Sequence, residues 1–534
     1  MDDQLHALMA SQFPKINPDI ANGLATVHMK HVERYVDDVM RSASQGFPEG
    51  LRYLGCQKCT PIEEFNIVTK PKNNKRSFSV SRSDLYLMKY FFELHGQPME
   101  PRYLYLPYVG EGGTITMGGS RYVVSPVLTD KVISIGLNNV FVRLLRDKVT
   151  FERVAHGVMF DFNREIVKIP WSLIYHSKAK AKVKTIVKAK CSLLHFMLCK
   201  YGFTKTFEKF AGISVKIGRT EINPETYPEK DWVIVSSTGL KPKTAGKGFY
   251  DPSTIRLAIR RQEFTPLVKT MVSNFIYIVD HFPSRIEPEW VDDTRWWCIL
   301  MGHILFGPAY GEAKLYDDVS NHIRSLDEYI DGLVRIKLKD IGHNVEDIYD
   351  LFAIVMKNMD TWLVTAADKV SSMYDKELSI LYHILECINN SIFRLNFKLK
   401  VTAKRQLTEK EVTNVFNSIL STGKIYDITK QHVSMSNIDY SGDNKVFKMT
   451  SLLVPQATGS RNRKVKKVRT SVVDPVNRFH VSIAEVGGYA CLPKSDPTGH
   501  ARINMFVKTD EKGNIVRDPS KVQLLDNIQE MIKR

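Results

Sequence analysis

The sequence predicts an α+β fold divided among several domains. Short apolar stretches punctuated by glycines run from Tyr103 to Leu128, and helical periodicity dominates residues 290–400. A chain of 534 residues is also long enough for two or three hydrophobic cores.

The elements follow in order. Residues 24–43 carry Leu24, Val27, Val32, Tyr35, Val36 and Val39 at a spacing that predicts a helix. Residues 61–80 alternate apolar and polar groups, and the Lys70–Arg76 cluster breaks them as an exposed hairpin turn would. A second helix is expected over 83–94. The stretch YLYLPYVGEGGTITMGGSRYVVSPVL reads as short strands broken at Gly110, Gly112, Gly113, Gly118 and Gly119. Strand-like segments with charged turns continue over 139–175. Lys178, Lys180, Lys182, Lys184, Lys188 and Lys190 then precede an apolar CSLLHFMLC, so 178–201 starts extended and ends helical. Those lysines fit either a solubilising face or a surface turned toward DNA. Proline-rich turns mark 223–243, and helices are expected through 290–400. Thr408 and Glu411 form a capping-box pattern. It opens an apolar period of Val412, Val415, Phe416, Ile419 and Leu420 that stops at Gly423. There is no internal repeat and no long low-complexity linker, so the domains are expected to pack together rather than swing on tethers.

A hydrophobic content of 43% with 25% charged residues is ordinary for a soluble globular protein. The net charge of +17 and a pI near 9.3 are not, and they favour a polyanionic partner, nucleic acid before membrane. No apolar run is long enough for a transmembrane helix, and the acidic MDDQLHALMASQF start lacks the marks of a signal peptide. Seven widely spread cysteines point to reduced thiols. A soluble intracellular protein is expected.

Several motifs invite sharper readings. Tyr35 to Asp38, YVDD, matches the aspartate pair that holds Mg²⁺ in some polymerases. Here it sits in a helical pattern, without a strand–turn–strand frame or an upstream carboxylate, so no catalytic residue is assigned to it. Asp292–Asp293 and Asp317–Asp318 read as helix-start or surface charges. Cys56 and Cys59 have the spacing of half a zinc site, but no second pair of suitable spacing follows, and His28 and His31 could help only across space. No metal site is expected. Gly239 to Gly248, GLKPKTAGKG, fails the phosphate-loop pattern in spacing and in its final hydroxyl, and reads as an exposed basic loop. No G-x-S-x-G or H-E-x-x-H occurs, so hydrolase chemistry has no motif behind it.

The most informative stretch is PQATGSRNRKVKKVRTSVVD, from Pro455 to Asp474. Arg461, Arg463, Lys464, Lys466, Lys467 and Arg469 place six cations in nine residues. Such a run is either a solvated linker or a loop whose cations meet phosphates, displacing counterions without reading sequence. Its surroundings favour the second. The capped helix, a Ser421-Thr-Gly-Lys424 end, a polar stretch and the apolar MTSLLVP lead into it. VVDP, LPKSDPTG, a strand and TDEKGN follow.

That order resembles the fork region of the β subunit of multisubunit RNA polymerases. Thr114 to Val124, TITMGGSRYVV, is similar to the protrusion segment of the same subunit. Only the N-terminal half of β is represented, and β split into separate chains resembles giant phages of the phiKZ type. The resemblance implies a protrusion at 1–150 returning at 375–423, a lobe at 151–374 and a fork at 424–534. It implies a chain without the metal-binding aspartates. The β′ string N-A-D-F-D-G-D is absent, so the catalytic Mg²⁺ would be held by a partner β′-like chain. Expected partners are a C-terminal β-like chain, β′-like N- and C-terminal chains, template DNA, nascent RNA and NTPs. The chain would be inactive alone, and its place would be the infected host cell's cytoplasm or the virion.

Arg461 to Arg469 would contact nucleic acid near the downstream edge of the bubble. Where the family has E-T-P-E-G-P-N, this chain has Leu492-Pro-Lys-Ser-Asp-Pro-Thr-Gly499. Glu485 corresponds to the first family glutamate if GGYAC is an insertion, and Lys494 and Asp496 are nearest to the second. The tandem histidines reduce to His480. These departures imply resistance to rifampicin-type inhibitors. The rival reading is a basic nucleic-acid-binding accessory that works without polymerase partners. A third is a self-sufficient nucleotidyl transferase using Tyr35 to Asp38.

Overall fold

The computed structural model describes residues 31–44, 46–68, 85–108, 114–117, 119–124, 127–136, 138–144, 148–161, 163–172, 191–237, 254–283, 285–307 and 310–326. Beyond these it describes 329–364, 372–379, 381–403, 408–423, 435–437, 453–455, 482, 486, 500–502, 507–510 and 513–517. Helices and antiparallel sheets occur together throughout, so the α+β multidomain class holds. The chain forms two compact units, one of residues 1–131, 331–336 and 371–534 and the other of 132–330 and 337–370.

The first unit begins with α1 (Val32–Ser44), whose Val32, Val36, Val39, Met40 and Ala43 form one buried stripe. Strand β1 (Leu51–Lys58) follows, then α2 (Pro61–Val68). Alternation predicts strand for the start of 61–80, but local capping overrides it. Thr60 Oγ1 accepts from the Glu63 amide, Glu63 Oε2 accepts from the Thr60 amide at 2.8 Å, and Pro61 supplies the first helical position. The Lys70–Arg76 turn lies outside the described residues.

The helix expected over 83–94 is instead a strand, β2 (Leu85–Leu94). It lies at the centre of a four-stranded antiparallel sheet, between β1 and β4 (Arg102–Pro107), with the short β3 (Gln97–Pro98) on its end. Tyr90 and Phe92 are fully buried, and Phe92 meets Phe416 at 4.6 Å between ring centroids. Aromatic residues fit a pleated, covered surface better than a helix here, and pairing on both edges decides the matter. The pairing of β1 with β2 shifts register between Tyr53 and Gly55, and Gly55 takes φ +142°, a conformation open to glycine.

Beyond this sheet come β5 (Thr114–Met117), β6 (Ser120–Val124) and β7 (Val127–Asp130), the short glycine-punctuated strands that the sequence predicts.

The second unit is built on an eight-stranded antiparallel sheet. Its strands are β8 (Ile133–Ile135), β9 (Asn139–Arg143), β10 (Lys148–Phe160), β11 (Asn163–Ser172), β12 (Cys191–Ser192), β13 (Lys216–Gly218), β14 (Trp232–Ser236) and β15 (Arg256–Arg260). Strand β14 falls inside the stretch expected to be turns alone. The long β10–β11 hairpin is stapled at its tip, where Asp161 accepts from the Ile234 amide and from Arg261. Helix α3 (Leu193–Tyr201) is buried from Leu193 through Cys199, capped by Ser192, and followed by α4 (Phe203–Ala211). Helices α5 (Pro266–His281), α6 (Thr294–Phe306) and α7 (Glu312–Leu326) come next; Thr265 caps α5 and Asp293 caps α6. Phe196, Phe203, Phe207, Phe275, Trp297 and Phe352 pack in two aromatic clusters, Phe196 on Phe352 and the other four in a chain. Burying each such side chain contributes roughly 1.5–3 kcal/mol.

Asp331 accepts from the Leu333 and Val334 amides at the start of helix α8 (Gly332–Asp340), and α9 (Ile348–Val364) follows. The first unit resumes with β16 (Lys376–Ser379), α10 (Leu381–Ala403) and α11 (Glu409–Ile419). Thr408 and Glu411 make the predicted capping box. Ile388, Ile392, Leu395 and Leu399 of α10 join α1, β2 and α11 in one core. Short strands complete the chain: β17 (Met435–Asn437), β18 (Leu453–Pro455), β19 (His500–Arg502), β20 (Lys508–Thr509) and β21 (Ile515–Val516).

Candidate nucleic-acid interface

The LVP end of the MTSLLVP run supplies β18, and the residues after Gly499 supply β19. The two pair antiparallel, Leu453 opposite Arg502, Val454 opposite Ala501 and Pro455 opposite His500. Both ends of 456–499 are therefore tied at one ladder. Arg461, Arg463, Lys464, Lys466, Lys467, Arg469, Glu485, Lys494 and Asp496 all belong to this excursion, and all nine lie outside the described residues. Two residues within it are described. Ser482 and Val486 are buried, at 1% and 2% exposure, and Ser482 Oγ accepts from the Met373 amide at 2.8 Å. The excursion is thus held at its base and again at Ser482 and Val486.

Strand β18 of this base neighbours β7, and other strands from distant parts of the chain pair in the same unit. Strand β17 pairs with β6, and β6 with β5, so the glycine-punctuated segment at 114–124 and the C-terminal region share one small sheet. Strand β16 pairs with β7. Its Glu377 bridges to Asn514, and the Leu378 amide donates to Gly513 O at 2.7 Å. Polar side chains reinforce this pairing. Lys376 Nζ lies 2.7 Å from Asp130, and Thr129 Oγ1 donates to the buried Glu377 at 3.2 Å. Strands β20 and β21 form a hairpin closed by Asp510, which accepts from the amide and the side chain of Asn514, both at 2.7 Å. Gly513 at φ +86° completes that turn. Leu378, Val507 and Ile515 carry this layer into the core of the first unit.

A family model described as non-virion RNA polymerase subunit matches residues 3–530, nearly the whole chain. The chain belongs to the non-virion RNA polymerase subunit family. No curated protein matches it. As a polymerase subunit it acts in transcription with other polymerase subunits as its partners.

In this non-virion RNA polymerase subunit the YVDD tetrad is part of α1. Asp37 accepts from Tyr53 OH at 2.7 Å and from Arg41 Nε at 2.8 Å, so its carboxylate is engaged in packing α1 onto β1. Cys56 lies on β1 and Cys59 just beyond it, both as free thiols. Burial and the nearby Asp37 push the Cys56 thiol up to about 11. Among the described residues no group of three or more His, Cys, Asp and Glu side chains is arranged to hold a metal ion. Asp292 accepts from the amide and hydroxyl of Thr204, and Asp293 caps α6. These are helix-start roles, as expected. The Gly239–Gly248 loop and the 178–190 lysines lie outside the described residues, but Ser172 pairs with Cys191, so the lysine run leaves and rejoins the sheet at one point. No described helix is long and apolar enough to cross a membrane.

Sequence reasoning missed Thr129 and Glu377, which fasten β7 to β16, Asp510, which closes the β20–β21 hairpin, and Ser482, which ties the 456–499 excursion to Met373. Only Asp510 carried a local signal, a D-x-x-G-N turn. The others act between residues far apart in the chain.

Proposed function

We propose that this chain is the N-terminal β-like subunit of a DNA-directed RNA polymerase, positioning DNA and RNA for template-directed synthesis. The observation that carries the reading is the family match over 3–530, which spans both stretches resembling β, Thr114–Val124 and 408–534. On this reading 1–150 with 375–423 serves as the protrusion, 151–374 as the lobe and 424–534 as the fork. The split-β arrangement of giant phages supplies the remaining chains: a C-terminal β-like subunit and two β′-like subunits. The family description gives no support to a stand-alone nucleic-acid binder.

The chemistry then divides between chains. Mg²⁺ held by a β′-like partner neutralises charge as phosphoryl transfer proceeds. This chain's contribution is geometric and electrostatic. Arg461, Arg463, Lys464, Lys466, Lys467 and Arg469 meet phosphates of template or non-template strand, and the apolar residues between them are too few to bury the run. Glu485, Lys494 and Asp496 stand nearest to the nascent RNA end and the incoming NTP. The strands that tie 456–499 at Pro455 and His500 support this reading, because a closed base limits where the cations can reach.

The decisive experiment is purification of the tagged chain from infected cells with identification of its partners. A partner carrying a D-x-D-G-D string in equal stoichiometry is the expected result. Recovery of the chain with nucleic acid and no such partner would return the accessory-binder reading.

A further inference from the structure

All six tryptophans are described, and among them Trp290 alone is exposed, at 51%. Its presentation is rigid. Pro288 opens a single helical turn over Pro288–Trp290, the Trp290 amide donates to Glu287 O at 3.0 Å, and the Asp293 amide donates to Trp290 O at 2.9 Å. The next residue, Val291, is buried, and its carbonyl accepts from both the Phe203 amide and Trp297 Nε1. Trp296 packs edge-on against Trp290, with ring centroids 5.8 Å apart, and its own Nε1 donates to Arg285 O at 2.7 Å. An exposed indole held this firmly loses little freedom when something covers it.

The charge around it identifies what would cover it. The chain as a whole carries +17, yet Ile286 to Asp293 holds four carboxylates and no cation. Glu287 is paired with Arg219, Asp292 with Thr204, and Asp293 caps α6, while Glu289 is exposed beside Trp290. The flanking Arg285 donates to His303 Nε2 at 2.8 Å and Arg295 lies over the Tyr316 ring at 5.3 Å; both keep their charge, and Arg285 to Arg295, with two cations and four carboxylates, is net −2. An aromatic anchor on a net-negative stretch, with Glu289 exposed beside it, disfavours a phosphate backbone and suits a cationic peptide surface.

We infer that the Trp290 face docks another subunit of the same polymerase. The occupant is a segment that sets an apolar side chain on the indole and a Lys or Arg against Glu289. This inference needs the family membership alone, and not the β-like assignment.

The test places benzoylphenylalanine at position 290 in the full chain and irradiates the polymerase assembled on promoter DNA. The expected product is a nuclease-resistant adduct with another polymerase subunit. Trp290→Ala and Glu289→Lys are each expected to weaken retention in the assembly about ten-fold. Glu289→Lys should leave the free chain's melting temperature unchanged, and Trp290→Phe, which keeps a ring against Trp296, should restore part of the retention. A nuclease-sensitive adduct would overturn the inference in favour of nucleic acid as the occupant. A normal assembly with no adduct and no loss of retention would overturn it outright. A chain that co-purifies with no polymerase subunit would overturn this inference and the proposed function together.

Discussion

His195 shows how much a single buried group commits the second unit. Its Nε2 donates to Trp297 O at 3.0 Å, its Nδ1 has no partner among the described residues, and burial pulls its pKa down to about 4. The unfolded chain binds a proton near the ordinary histidine value of about 6.5, while the folded chain resists it. Stability is therefore fully present above about pH 6.5 and is lost as pH falls toward 4, by about 3 kcal/mol for this group. Thermal melting between pH 7 and pH 4 should show that slope, and His195→Gln should flatten it. Cys56 offers a second check. With its thiol pushed up to about 11, it should resist alkylation at pH 8 under native conditions and react once the chain is denatured. Neither behaviour was legible in sequence. CSLLHFMLC announces a buried helix, but the neighbours that bury His195 and supply Trp297 O come from about a hundred residues away.

At the scale of elements, local chemistry was readable where it is complete within a few residues. The Thr408–Glu411 box announced α11, and the structure contains it. Thr408→Ala should cost about 1 kcal/mol of stability, read as a lower urea midpoint with an unchanged slope. Thr60-Pro61-Ile62-Glu63 carries the same signal for α2, and alternation over 61–80 masked it. Strand β2 was misread for a different reason. LYLMKYFFEL is apolar at too many positions for its period to decide between helix and strand, and the sheet around it decides instead. Phe92 and Phe416 meet in that core, so Phe416→Ala should destabilise the first unit by about 3–5 kcal/mol, measured by chemical denaturation.

At the scale of the molecule, the first unit is discontinuous: it breaks after residue 131, returns for 331–336 and resumes at 371. Its strand β17 pairs with β6, and Asn514 and Gly513 bond to Glu377 and Leu378 of β16, so truncation after Gly423 should expose Leu378 and its neighbours and leave the chain aggregation-prone. Replacing the six cations between Arg461 and Arg469 with Gln is the matching test of the proposed interface. Every phosphate left without its cation should lower the slope of log affinity against log salt by about 0.9 for duplex DNA, while the fold stays intact. An unchanged slope would mean that the run is a solvated linker.

The order of motifs along the chain was enough to mark a polymerase subunit, because each motif is a short local string and its order survives without coordinates. Apolar periodicity and glycine punctuation likewise sufficed for the α+β class, and capping for the start of α11. Tertiary structure alone decided that β2 is a strand, that Leu453–Pro455 meets His500–Arg502, and that Glu377 bridges to Asn514. These pairings join residues far apart in sequence. Their stability comes from backbone hydrogen bonds and apolar surface that neither partner can satisfy alone, so no local pattern records them.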